Sequence, residues 1–120
     1  MNYVLIAIGE IPIYIKHTIN TILSVEENPR IFLCTDVKAE FKNVEIINID
    51  EIISEQTKRI KDYGIYKNAY FENNPIWEMS LLKIFYLRDF QAKFKIKNFI
   101  YFDNDVLIYL PFNNISNNFN

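Results

Sequence analysis

The sequence predicts an α/β domain: a mostly parallel, Rossmann-like sheet flanked by helices. Short runs made only of apolar, largely β-branched residues alternate with segments of helical period, and each run ends in polar residues. Half of the 120 residues are apolar, enough to bury one real core. Wholly apolar strands are the mark of a sheet covered on both faces. Helical crossovers between them return the chain to the same end of that sheet.

The first strand is Tyr3-Val4-Leu5-Ile6-Ala7-Ile8, closed by Gly9. From Ile15 to Val25 the residues Ile15, Ile19, Ile22, Leu23 and Val25 fall near a 3.6-residue period, and Asn28-Pro29 breaks it, so a helix of about three turns follows. Arg30 to Asp36 repeats the strand signal and completes a β-α-β unit. Val44 to Ile49 is a third strand, after which Asp50-Glu51 starts a helix carrying Ile52, Ile53 and, further on, Ile60. Tyr63 to Asn74 shows no clean period and reads as an irregular connection whose Tyr63, Tyr66 and Tyr70 are candidate ligand or lid residues. Pro75 opens a long helix to about Phe94, apolar on nearly all sides and expected to be largely buried, with Trp77 as a core residue. Asn98 to Phe102 is a fourth strand. It runs into Asp103-Asn104-Asp105, beyond which Val106 to Leu110 is apolar again until Pro111. The domain is expected to span 1–112. The tail 113–120, five of whose eight residues are Asn, is expected to fray.

Several function classes are excluded on composition. Thirteen basic residues against 15 acidic leave no field that draws a protein to nucleic acid or an anionic membrane. One cysteine, Cys34, and one histidine, His17, allow neither an internal disulfide nor a Cys/His zinc site. Cys34 reads as a small buried apolar group and His17 as a helix-end residue. Two glycines, Gly9 and Gly64, are too few for a G-x-G-x-x-G or Walker A loop. No stretch approaches the roughly 20 apolar residues that cross a bilayer, the N-terminal run lacks a signal peptide's basic start, and a reducing cytoplasm is the expected compartment.

In parallel sheets ligands bind beyond the carboxyl ends of the strands. Gly9-Glu10, Thr35-Asp36 and Asp103-Asn104-Asp105 would all lie there. Two carboxylates between apolar runs are costly to desolvate unless a cation sits beside them. In extended backbone, residues two apart project to one side, so Asp103 and Asp105 can share a hard cation. An oxygen-only ligand set fits Mg²⁺ or Mn²⁺, which bind substrate phosphates and imply a phosphate or diphosphate ligand. The competing reading is a plain solvent-exposed turn favoured by Asn104.

Ile100-Tyr101-Phe102-Asp103-Asn104-Asp105-Val106-Leu107-Ile108, preceded by the helix Trp77-Glu78-Met79-Ser80-Leu81-Leu82-Lys83-Ile84-Phe85-Tyr86-Leu87, resembles the D-x-D region of GT-A type nucleotide-sugar-dependent glycosyltransferases. The resemblance covers the order of elements along the chain, with motif specificity in the last third. It implies the nucleotide-binding half of a GT-A fold. Asp105 would hold the divalent ion on the donor diphosphate, and Asp103 would contact the ribose or the metal shell. It also implies donor contacts at Ile8, Gly9, Thr35, Asp36, Asn104 and Lys83. Lys83 stands where arginine is common, which would give up a bidentate phosphate grip, and its competing reading is a solvated helix residue. The acceptor, a glycan or lipid-linked acceptor in such families, is not specified, and no general base can be nominated.

Such enzymes continue past the D-x-D strand into an acceptor-binding half, which the sequence after Pro111 does not contain. The expectation is therefore either a donor-binding part completed by a partner chain or a nucleotide-sugar-binding fragment without catalysis. Self-association through exposed apolar surface is expected too. A haloacid-dehalogenase-type phosphohydrolase, with Asp103 as nucleophile and Asp105 as acid/base, is the enzymatic rival. Its motif lies near the N-terminus, however, with further catalytic motifs after it.

Overall fold

A computed structural model describes the backbone of residues 1–63, 75–104 and 106–112, and the side chains of these apart from 63 and 75–80. The irregular connection from Gly64 to Asn74 with Tyr66 and Tyr70, the Trp77 side chain, Asp105 and the 113–120 tail lie outside the described residues. Two compact units are present: Met1–Asn48 with Asn98–Asn120, and Ile49–Lys97.

The first unit holds the sheet. Strand β1 (Asn2–Ala7) leads to helix α1 (Ile15–Val25), then to β2 (Arg30–Thr35) and β3 (Glu45–Asn48), and β4 (Ile100–Tyr101) completes it. All pairings are parallel, in the order β3-β2-β1-β4. The α/β class is therefore as the alternation predicts. Tyr3, Leu5 and Ala7 of β1 and Ile31 and Leu33 of β2 alternate onto one face and pack against Ile15, Ile19 and Ile22 of α1. Between them Val4, Ile6, Phe32 and Cys34 point to the opposite face and are buried as well. Both faces being covered is why these runs carry no polar alternation.

Helix α1 ends where Glu26 N donates to Ile22 O and Asn28 turns to φ +51 ahead of Pro29. Asparagine tolerates that left-handed conformation better than most residues, which makes Asn28-Pro29 an effective stop. At the edge of the sheet Arg30 meets Glu45 with two hydrogen bonds of 3.0 and 3.1 Å. Both side chains are about half exposed, so this pair adds little stability.

Strand β4 is shorter than the expected Asn98 to Phe102, pairing with β1 only at Tyr3 and Val4. The apolar run after it is also corrected. Val106, Leu107, Tyr109 and Leu110 are exposed and belong to no strand, and the chain instead runs along α1 as a strap. Thr18 Oγ1 donates to Asn104 O at 2.6 Å, Ile108 N donates to Thr21 Oγ1 at 3.1 Å, and Phe112 N donates to Glu26 Oε1 at 2.6 Å. The same Glu26 oxygen accepts the Tyr3 hydroxyl at 2.9 Å. Side-chain acceptors and donors on the helix take up backbone groups that a sheet would have paired, and Ile108 packs against the core.

The second unit consists of α2 (Ile49–Ile52), α3 (Glu55–Tyr63) and α4 (Pro75–Phe94). The single helix expected from Asp50 onward is broken at Ser54. Its hydroxyl accepts the Thr57 N–H at 3.1 Å, an N-cap that starts a new helix. Its own N–H goes to the buried carboxylate of Asp89 at 3.0 Å. Tyr63, read from the sequence as the start of the irregular stretch, closes α3. Helix α4 buries Leu82, Tyr86 and Phe90 along an i, i+4, i+8 stripe, while Ile84, half a turn away, is 64% exposed. The expectation of a helix buried on nearly all sides is corrected accordingly. Among the described residues no helix is long and apolar enough to cross a membrane.

Candidate functional site at the carboxyl edge of the sheet

The order β3-β2-β1-β4 means that the chain proceeds from β1 outward through β2 and β3, then crosses back to lay β4 on the other side of β1. The reversal puts the topological switch point between β1 and β4. Crevices outside the carboxyl ends of strands at such a point are where open parallel sheets bind ligands. Ile8-Gly9 leaves β1 at this edge, Asp36 leaves β2, and Asp103 follows β4 by two residues.

Gly9 has φ +84, a left-handed conformation that side chains disfavour, although a Cβ there would meet nothing within 4 Å. Its N–H donates to Asp36 Oδ1 at 2.8 Å, so the loop leaving β1 is tied to the end of β2. Thr35 is buried, and its hydroxyl accepts Val37 N–H at 3.2 Å. That bond gives the Thr35 hydroxyl a turn-forming duty beside the donor contact implied by resemblance. Ile8 is half-buried, and Gly9, Glu10 and Asp36 are exposed.

On the other side of β1, Asn104 Nδ2 donates to Ile6 O at 2.6 Å. Strand β4 has stopped pairing by then, and the side-chain amide supplies the donor that a longer strand would have given. Val106 N donates to Asp103 O at 3.2 Å, and Asn104 lies in a turn. The extended backbone expected through the motif does not hold at Asn104, a turn residue whose side chain reaches back to β1. Asp103 is exposed next to this turn. Burial, and the Asp103 charge nearby, push the Tyr101 phenol up to about 12. Both causes disfavour a further negative charge on that phenol.

The structure brings Ile8, Gly9, Thr35, Asp36, Asp103 and Asn104 to one edge of one unit. Lys83 belongs to α4 of the other unit, where its side chain is half-buried. Asp105 lies outside the described residues. Sequence reasoning missed Thr18, which is fully buried and hydrogen-bonded to the backbone of Asn104. A signal was present: Thr18 falls within the apolar stripe of Ile15, Ile19 and Ile22, and a hydroxyl there must find a partner. No protein-family model matches the chain, and no curated protein and no solved structure is significantly similar to it.

Proposed function

We propose that the sheet-bearing unit is the donor-binding part of a metal-dependent glycosyltransferase of GT-A type, taking a nucleoside-diphosphate sugar at the switch point between β1 and β4. The observation that carries this reading is the location of the D-x-D turn. It follows β4 directly, is tied to the end of β1 by Asn104, and shares the carboxyl edge with the Gly9–Asp36 bond.

The residues fit a hard divalent cation. Asp103 and Asp105 offer only oxygen, Asp103 is exposed at the carboxyl edge, and two carboxylates leave coordination positions for phosphate oxygens and water. Asp103 and Asp105 would hold Mg²⁺ or Mn²⁺. When bound, the ion offsets the negative charge that grows on the departing nucleoside diphosphate. The chain's own share is orientation: the Gly9 and Asp36 loops face the nucleoside, and Asp36 keeps one carboxylate oxygen, Oδ2, outside its bond to Gly9.

Calorimetric titration with nucleoside diphosphates and nucleotide-sugars, with and without Mn²⁺, tests the proposal. Binding is expected only with the metal, and Asp105→Ala should weaken it by at least about 100-fold, since loss of a direct ligand exceeds the loss of an outer-sphere partner. Binding that is indifferent to Mn²⁺, or unchanged in Asp105→Ala, would overturn it.

A further inference from the structure

We infer that residues 106–112 form a strap that opens from α1 as one unit while the sheet stays folded, with the Glu26 carboxylate as the clasp that sets how often it opens. This is a conformational device of the sheet-bearing unit, and it stands independently of the donor-site reading above.

Ile108 N–H goes to Thr21 Oγ1 at 3.1 Å and Phe112 N–H to Glu26 Oε1 at 2.6 Å, so both clasps are side chains of α1 or of the residue that ends it. Val106, Leu107, Tyr109 and Leu110 are exposed, Ile108 packs against the core, and Pro111 has no N–H to give. Few buried contacts, and side-chain hydrogen bonds in place of a ladder, mark a segment whose opening requires far less free energy than unfolding the whole unit. Asn104, which precedes the strap, is held differently. Its side-chain amide donates to Ile6 O and its carbonyl accepts the Thr18 hydroxyl, each at 2.6 Å. Opening of 106–112 breaks neither bond, so the end of β1 keeps its partner.

The two clasps are coupled through the chain between them. Ordering Tyr109, Leu110 and Pro111 costs backbone entropy, and whichever clasp closes first meets most of that cost, so the second closes against less resistance. Loss of either therefore loosens both. Glu26 has the larger effect, because a carboxylate is the stronger acceptor and its bond is the shorter of the two. The same oxygen accepts the hydroxyl of Tyr3, a buried residue of β1, at 2.9 Å. That bond does not involve the strap and holds the carboxylate in place when the strap is open, so the strap closes onto a preorganised acceptor.

Native-state hydrogen exchange of the ¹⁵N-labelled chain tests this, read at amides whose own acceptor is left intact. In the wild-type protein Ile108 and Phe112 should exchange at least about 10-fold faster than Leu33 and Cys34, whose strand is paired on both sides. Low guanidinium concentrations that speed Leu33 and Cys34 should leave the two strap amides unchanged, because opening the strap exposes little surface. Glu26→Ala should speed Ile108, whose acceptor Thr21 is untouched, by at least about 10-fold. Thr21→Val should speed Phe112, whose acceptor Glu26 is untouched, by about fivefold, the equivalent of one neutral hydrogen bond. Thr21→Ser keeps the hydroxyl and should leave Phe112 at the wild-type rate. Should Glu26→Ala fail to fold, Thr21→Val at its half-buried position decides alone. Strap amides that follow Leu33 and Cys34 in their response to guanidinium would mean that the strap leaves only when the sheet unfolds, and would overturn the inference. A remote amide unmoved by either substitution would show independent fraying of the two clasps and overturn it as well.

Discussion

Leu33→Ala is expected to lower the unfolding free energy by about 3 kcal/mol, within the range for large-to-small substitutions in a packed core. Leu33 is fully buried in the middle of β2 and belongs to the cluster that joins Tyr3, Leu5 and Ile31 to Ile15, Ile19 and Ile22 of α1. Truncation removes three carbons from a site walled by two strands and a helix, none of which can move inward without breaking a ladder or a helix turn. The cost is therefore the lost transfer energy plus the cavity. Against a total of about 5–15 kcal/mol for a domain, the loss is large and should lower the melting temperature by about 10–15 °C. Leu110→Ala, at a strap position that is 52% exposed, should change stability by less than about 0.5 kcal/mol. Thermal denaturation of the two variants side by side checks both values. Equal effects would mean that the sheet–helix interface is not the core.

A steep loss of stability is expected at alkaline pH, driven first by Cys34. The thiol is buried in β2, and desolvation raises it from an ordinary 9.0 to about 12. Below pH 9 it is protonated in folded and unfolded chains alike and contributes no pH dependence. Between pH 9 and 12 the unfolded chain gives up the proton and the folded one keeps it, so the unfolded state binds fewer protons and stability falls as pH rises. At 1.36 kcal/mol per pH unit this reaches about 4 kcal/mol near pH 12. Tyr101, raised to about 12 by burial and by Asp103, adds to the fall above pH 10. Tyr3, raised chiefly by burial and further by its bond to Glu26, acts in the same direction. Melting temperatures from pH 7 to 11 should therefore bend downward near pH 9 in the native chain. In Cys34→Ala the bend should shift toward pH 10. An unshifted bend would assign the alkaline transition to other groups.

Much of this architecture was legible in the residues. β1, α1, β2 and the long helix from Pro75 were marked by period and by hard stops, Gly9, Asn28-Pro29 and Pro75, each acting through local backbone chemistry. What could not be read were outcomes decided by partners distant in sequence. Ser54 became a helix cap instead of a helix interior because Asp89, 35 residues away, takes its N–H. The run from Val106 to Leu110 has the composition of a strand, yet β4 offers it no continuation, since Asn104 reaches back to Ile6, 98 residues earlier. Apolar content therefore overstated its burial. At the candidate site the shared edge of Ile8, Gly9, Thr35, Asp36, Asp103 and Asn104 followed from sequence alone, because strand ends are fixed by where apolar runs stop, whereas Lys83 lies in the other unit. The turn at Asn104 and the bond it receives from Thr18 did not, since both depend on which backbone groups the end of a short strand leaves unpaired.

The most direct test of the central claim is to add Mn²⁺ to the ¹⁵N-labelled chain and record which backbone amides it broadens. The switch-point site predicts selective loss of signal at Gly9 and at Asp103 to Val106, at Mn²⁺ concentrations that leave the signals of Ile49–Lys97 intact, and its abolition in Asp105→Ala. Broadening centred instead on the acidic residues Asp50, Glu55 and Asp62, or spread evenly over the surface carboxylates, would contradict a metal-dependent donor site between β1 and β4.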